Sequence, residues 1–133
     1  MEFSPYLFFS GNCAEALKVY EQIFGATIES ISTYGDSPMA DQAPAGWNDK
    51  IMHASMKVGD QRLMASDAPP GQYSTPQGLS VAIGLKDAAE GERVFKALAE
   101  NGTVQLEFQK TFWAAGFGMC IDRFGIPWMV NCE

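Results

Sequence analysis

With 133 residues, 47% of them hydrophobic and 19% charged, the chain carries enough apolar material for one packed domain and too little charge for a disordered one. A net charge of −7, with nine basic residues scattered rather than clustered, excludes a phosphate-backbone partner such as nucleic acid. No apolar run approaches the roughly 20 residues of a membrane span, and MEFSPYLFFSGN lacks the basic lead of a signal peptide, so a cytoplasmic location is expected.

The first predicted element is a strand in PYLFFS, from Pro5. A helix follows in GNCAEALKVYEQIFGATI, where Cys13, Ala16, Leu17, Tyr20 and Phe24 fall on one face at helical spacing. Asn12, three residues before Glu15, has capping-box spacing, and Gly25 suits the C-terminal position that favours a left-handed backbone. GATIESISTY reads as a strand, and the Pro/Gly/Asp-rich YGDSPMADQAPAGWND as a long loop, a lid or dimer arm with Asp36, Ser37 and Trp47 as its contacts.

The run DKIMHASMKVGDQ contains His53, the only histidine. Strand alternation sets Met52, Ala54, Met56 and Val58 on one face and His53, Ser55 and Lys57 on the other, so packing of the apolar face turns His53 toward a cleft. A one-residue slip at Gly59-Asp60 would reverse this. His53 then either binds a ligand or moves a proton, or fixes a neighbouring carbonyl or carboxylate.

GDQRLMASD completes the first half. The second half repeats the order: strand SVAIGL, helix KDAAEGERVFKALAENGTV with Asp87 and Glu90 at the cap and Gly102 after it, strand GTVQLEFQ, and the closing pair in TFWAAGFGMCIDRFGIPWMVNCE. Helices and opening strands match at one constant offset, which carries Asn12 to Asp87 and Glu15 to Glu90. Closing strands match at a shorter one, which carries Gly59 to Gly125. The expected fold is therefore α+β, one domain over 1–133. It consists of tandem βαβββ modules of about 3–68 and 78–133, whose mixed sheets curl around a cleft that is the natural ligand site. The three cysteines, Cys13, Cys120 and Cys132, lack zinc-knuckle spacing and read as buried small hydrophobes, with a catalytic thiol as the rarer alternative.

Together, PYLFFSGNCAEALKVYEQIFGA, GDSP, DKIMHASMKVG, LMASD and TFWAAGFGMCIDRFGIPWMVNCE resemble the PhnB-like branch of the vicinal oxygen chelate superfamily, which also holds glyoxalase I, bleomycin-resistance proteins and extradiol dioxygenases. The resemblance spans nearly the whole chain and implies a glyoxalase/bleomycin-resistance-like fold and a homodimer. It also implies four metal-ligand positions, on the first and last strands of each half, that hold His, Glu or Gln in metal-using members. Carried onto this chain, those positions are Pro5, Leu63, Ser80 and Met129. Proline and leucine cannot ligate, and a thioether suits soft copper rather than a hard divalent cation. The expectation is no cofactor and no metal at the usual site.

The residues expected to line an apolar cleft are Leu7, Phe9, His53, Leu63, Trp113, Met129 and Asn131, with Pro5 on the same inward face and Trp128 on the opposite one. The functional expectation is metal-independent binding of a small, partly apolar molecule. Its rivals are a lyase, isomerase or dioxygenase with a relocated metal or His53 as base, and a dimerisation scaffold without a ligand. Relatives labelled as methyltransferases give no support for that activity here, because GFGMCIDRFG lies in the closing hairpin rather than in a strand-to-helix loop.

Overall fold

Each half of the chain folds as strand, helix, strand, strand, strand in a computed structural model that describes residues 1–38 and 40–133. Two compact units, Met1–Ser74 and Thr75–Glu133, each hold one four-stranded mixed sheet.

In the first unit, β1 (Tyr6–Phe9), α1 (Cys13–Phe24), β2 (Thr27–Thr33), β3 (Ile51–Val58) and β4 (Gln61–Asp67) form a sheet of order β1-β4-β3-β2. Strand β1 runs parallel to β4 and the other pairs are antiparallel. Helix α1 buries Cys13, Ala16, Leu17, Tyr20 and Ile23, the stripe its spacing predicts apart from Ile23 in place of Phe24. The sheet meets it with Leu7, Phe9, Ala54, Met56 and Ala65, all nearly inaccessible, and the Phe9 ring centre lies 6.4 Å from that of Tyr20.

The second unit repeats the plan with β5 (Val81–Leu85), α2 (Ala88–Ala99), β6 (Thr103–Gln109), β7 (Gly116–Ile121) and β8 (Pro127–Cys132), in the order β5-β8-β7-β6. Helix α2 buries Gly91, Val94, Phe95 and Leu98. It sits close enough that a Cβ on Gly91 would collide with the Cys132 Sγ, and one on Gly118 would stand 2.7 Å from the Phe95 ring. Glycines on β7 thus make room for aromatic rings.

The cap predictions are corrected in both halves. Asn12 makes no side-chain cap bond; the Asp67 carboxylate, from the end of β4, accepts from Gly11 N–H and Cys13 N–H at 2.9 Å each. Asp87 does cap α2, accepting from Ala89 N–H at 3.0 Å, but Glu90 pairs with Arg93 instead of reaching back. Gly25 ends α1 with φ 63°, as expected. After α2 the left-handed residue is Asn101, with φ 59°, and Gly102 serves a different need: a Cβ there would run into the Ile121 carbonyl.

The long loop is tied down at its base. Tyr34 O–H donates to the Asp67 carbonyl at 2.8 Å, Gly35 N–H to the Asn48 carbonyl at 2.9 Å, and Ile51 N–H to the Asp67 carboxylate at 2.9 Å. The three residues expected as its external contacts are engaged internally. Ser37 bonds the Tyr34 carbonyl, Asp36 accepts from Thr33, and Trp47 packs edge-on against Tyr34 at 5.8 Å. Met39, within this loop, lies outside the described residues.

Candidate functional site on the open sheet faces

Strand register decides which side chains leave the helix-covered face. In the first sheet Tyr6 stands beside Met64, Ser55 opposite Met64, and Lys57 opposite Arg62. His53, two residues from Ser55, shares this face by alternation, while Ala54 and Met56 are buried on the other. Tyr6 reaches across to His53, its O–H lying 3.1 Å from Nδ1 with ring centres 5.7 Å apart. Phe8 extends the aromatic surface 5.0 Å from Tyr6. Tyr6 and Phe8 are 36% and 53% exposed, so two aromatic rings and an imidazole are presented together.

This placement corrects part of the expected cleft lining. Leu7 and Phe9, 5% and 0% exposed, belong to the core under α1. Leu63 pairs with the buried Met56 and so shares that helix-side face; its neighbour Met64 is the residue on the open one. Pro5 and Ser80 precede β1 and β5 rather than lying in them.

The cause is a one-residue slip in the repeat. Ala68 N–H bonds the Phe9 carbonyl, and Glu133 N–H bonds the Leu85 carbonyl, so Phe9 corresponds to Leu85 and Ala68 to Glu133. The offset of the helices would instead match Phe9 to Gly84, and that of the closing strands Asp67 to Glu133. Ser10-Gly11 links β1 to the α1 cap, whereas Lys86 alone links β5 to its cap. That single extra residue breaks the uniform offset and exchanges faces.

In the second sheet, Ala82 and Met119 flank Met129, and Gly84 and Phe117 flank Asn131, on the face opposite Trp128, Val130 and Cys132. Trp128 is buried as expected. Trp113, 54% exposed, stands in the β6–β7 connection, where Thr111 Oγ1 accepts from Trp113 and Ala114 N–H at 3.3 and 3.0 Å. Its ring packs edge-on against Phe117 at 5.4 Å. Trp113 and Asn131 therefore both stand beside Phe117, which sequence reasoning does not single out for this role, and Met129 lies in the Met119 pair on the same face.

The corrected neighbours at the metal-ligand positions are Tyr6 beside Met64 and Ala82 beside Met129. In neither unit does the pair, a phenol beside a thioether or a methyl group beside a thioether, fit a hard divalent cation. Among the described residues, no group of three His, Cys, Asp or Glu side chains is arranged to hold a metal ion. No helix among them is long and apolar enough to cross a membrane.

The cysteines are buried and free, with thiol pKa values pushed up by burial and by nearby carboxylates. Cys13, beside Asp67, rises to about 12, Cys120, near Asp122, to about 11, and Cys132 rises as well. A thiol so raised is neutral at pH 8 and is a poor nucleophile. Native protein is therefore expected to react with dithionitrobenzoate only at its unfolding rate, and three thiols are expected to react at once in denaturant; rapid native labelling at pH 8 would contradict this. The sign for stability follows: the unfolded thiols ionise first, so these groups withdraw stability as pH rises from about 9 toward the folded values.

Comparison with known proteins places these features in a wider set. The family described as 3-demethylubiquinone-9 3-methyltransferase matches residues 1–131. Protein YjdN of Escherichia coli (strain K12) is 36% identical over 139 residues, covering 98% of this chain and 95% of its own. Among solved structures, protein PA1353 from Pseudomonas aeruginosa is 50% identical with a TM-score of 0.89, over 100% of this chain and 98% of that one. A Bacillus cereus protein described as a PhnB protein and putative 3-demethylubiquinone-9 3-methyltransferase is 23% identical, TM-score 0.84, over the whole of both chains. A possible glyoxalase from Bacillus cereus, 18% identical with a TM-score of 0.61 over 97% of this chain and 96% of that one, shares the fold.

Proposed function

The chain belongs to the family described as 3-demethylubiquinone-9 3-methyltransferase, in the PhnB-like branch of the vicinal oxygen chelate superfamily, and we propose that it binds a small, partly apolar molecule without a metal. The observation that carries this reading is the open face of the first sheet, where Tyr6 stands beside Phe8 and Met64 and hydrogen-bonds His53 through its phenol. Aromatic faces supply non-directional contact, and the Tyr6–His53 pair supplies one oriented polar group. Either the phenol donates to Nδ1, leaving an Nε2–H to donate onward, or the imidazole donates and leaves Nε2 as an acceptor. Methyl transfer is not proposed, since Ser10–Asn12 and Lys86–Asp87 are too short for a glycine-rich nucleotide loop.

The test is a thermal-shift screen of small aromatic and enolic compounds on chelator-treated protein, followed by calorimetry of the hits. Binding is expected to survive the chelator, to weaken about tenfold in His53→Ala, and to weaken less in Tyr6→Phe. Hits that vanish with chelator, or that ignore His53→Ala, would overturn the reading. The Tyr6–His53 hydrogen bond also favours a second reading, an isomerase or lyase with His53 as base, in which His53→Ala abolishes turnover while binding persists.

A further inference from the structure

We infer that the open face of the first sheet continues into a carboxylate-binding subsite built on Arg62 and Lys57, and that its ligand is a small organic acid with a flat apolar body. The inference rests on the binding reading above and names the ligand class for that face.

Lys57 and Arg62 stand directly opposite each other across β3 and β4. Like charges so placed repel, and the pair calls for an anion. Glu29 supplies one: its Oε1 accepts from Arg62 Nε at 2.8 Å and its Oε2 from Nη2 at 3.5 Å, while Ser55 Oγ donates to Oε1 at 3.3 Å. These contacts fix the plane of the guanidinium and occupy one edge of it. A carboxylate is best recognised by two parallel N–H groups, and Nη1 keeps the second edge for that purpose.

In this structure that edge faces the chain's own Glu2, with Nη1 and Oε1 3.6 Å apart and the Glu2 side chain 68% exposed. The separation is beyond hydrogen-bond length, so Glu2 is a loose occupant. Lys57 has no ion pair among the described residues. A depression of about 420 Å³ opens here, lined by Ser4, Lys57, Gln61 and Arg62, with Glu2 and Asp60 as the acids in its wall. One row of side chains, roughly 7 Å along the strand, separates Arg62 from Met64 and the adjoining Tyr6. A ring lying on Tyr6 would carry a carboxylate on a two- or three-carbon arm to Arg62, displacing Glu2.

The experiment compares 3-phenylpropionate with 3-phenylpropan-1-ol by calorimetry at low ionic strength, on the wild-type chain, Arg62→Gln and Glu2→Gln. Both substitutions are at the surface, and melting curves check that the variants fold. The acid is expected to bind about fivefold tighter than the alcohol. That advantage disappears in Arg62→Gln and widens about twofold in Glu2→Gln. Equal binding of acid and alcohol, or an Arg62→Gln that leaves the acid unaffected, overturns the subsite while leaving the aromatic face standing. Binding of neither probe overturns the organic-acid class, and the wider screen then decides the face separately.

Discussion

Asp67→Ala is expected to cost about 3–5 kcal/mol of folding stability, because it leaves several buried donors without an acceptor. The carboxylate is 1% exposed and joins three parts of the first unit. Its Oδ1 takes Gly11 N–H and Cys13 N–H at the start of α1, and its Oδ2 takes Ile51 N–H, where the long loop enters β3. Water cannot replace it at the two buried amides. Asp67→Asn should fall between the wild type and alanine: an amide oxygen turned toward α1 satisfies two donors but sets its own N–H₂ against Ile51 N–H. Thermal or urea unfolding checks both. For a chain of this size the alanine variant should melt at least about 10 °C lower, and a shift within about 3 °C would show that the amides find other partners.

The same residue shows where sequence reading stops. An Asn followed three residues later by Glu is a local signal, and it marks the start of α1 correctly. The group that caps the helix comes from 54 residues away in sequence, and no local pattern announces it. Among the described residues, Asn12 Oδ1 is buried with no hydrogen-bond partner. The elements themselves are legible because apolar residues recurring at the helix or strand period are a direct consequence of packing against one face. The repeat order follows from that, and the observed halves reproduce it.

Faces are legible only where the strand alternates in chemistry. In β3 the small and apolar Ala54 and Met56 contrast with His53, Ser55 and Lys57, and the polar side is the open one. In β1 the run Tyr6-Leu7-Phe8-Phe9 is apolar on both sides, so alternation carries no information there. Its face can then be inferred only from a constant offset, which the extra residue in Ser10-Gly11 breaks. Leu7 and Phe9 are thereby exchanged for Tyr6 and Phe8, and Leu63 for Met64. With Tyr6 hidden in this way, so is the hydrogen bond that gives His53 a defined partner.

Asp122 is the corresponding stake in the second unit, and a double-mutant cycle with Trp128 separates its two tasks. At 5% exposure its Oδ1 accepts from Phe124 N–H and Ile126 N–H at 2.9 and 3.0 Å, holding the turn in which Gly125 takes φ 93°. Its Oδ2 accepts from the Trp128 indole N–H at 2.8 Å, and that ring is 1% exposed. Asp122→Ala removes both functions and is expected to cost about 3–5 kcal/mol. Asp122→Asn can keep the turn, but it presents an amide N–H₂ to the indole donor. Trp128→Phe removes that donor from the Oδ2 and adds the cost of a smaller ring in a filled core. Combining Asp122→Asn with Trp128→Phe should therefore cost less than the two single changes added together, with a coupling of about 1.5–3 kcal/mol, the range for a hydrogen bond to a charged group. Urea unfolding of the four proteins measures it. A coupling below about 0.5 kcal/mol, the scatter of additive pairs, would show that the indole–carboxylate hydrogen bond contributes no measurable stability of its own.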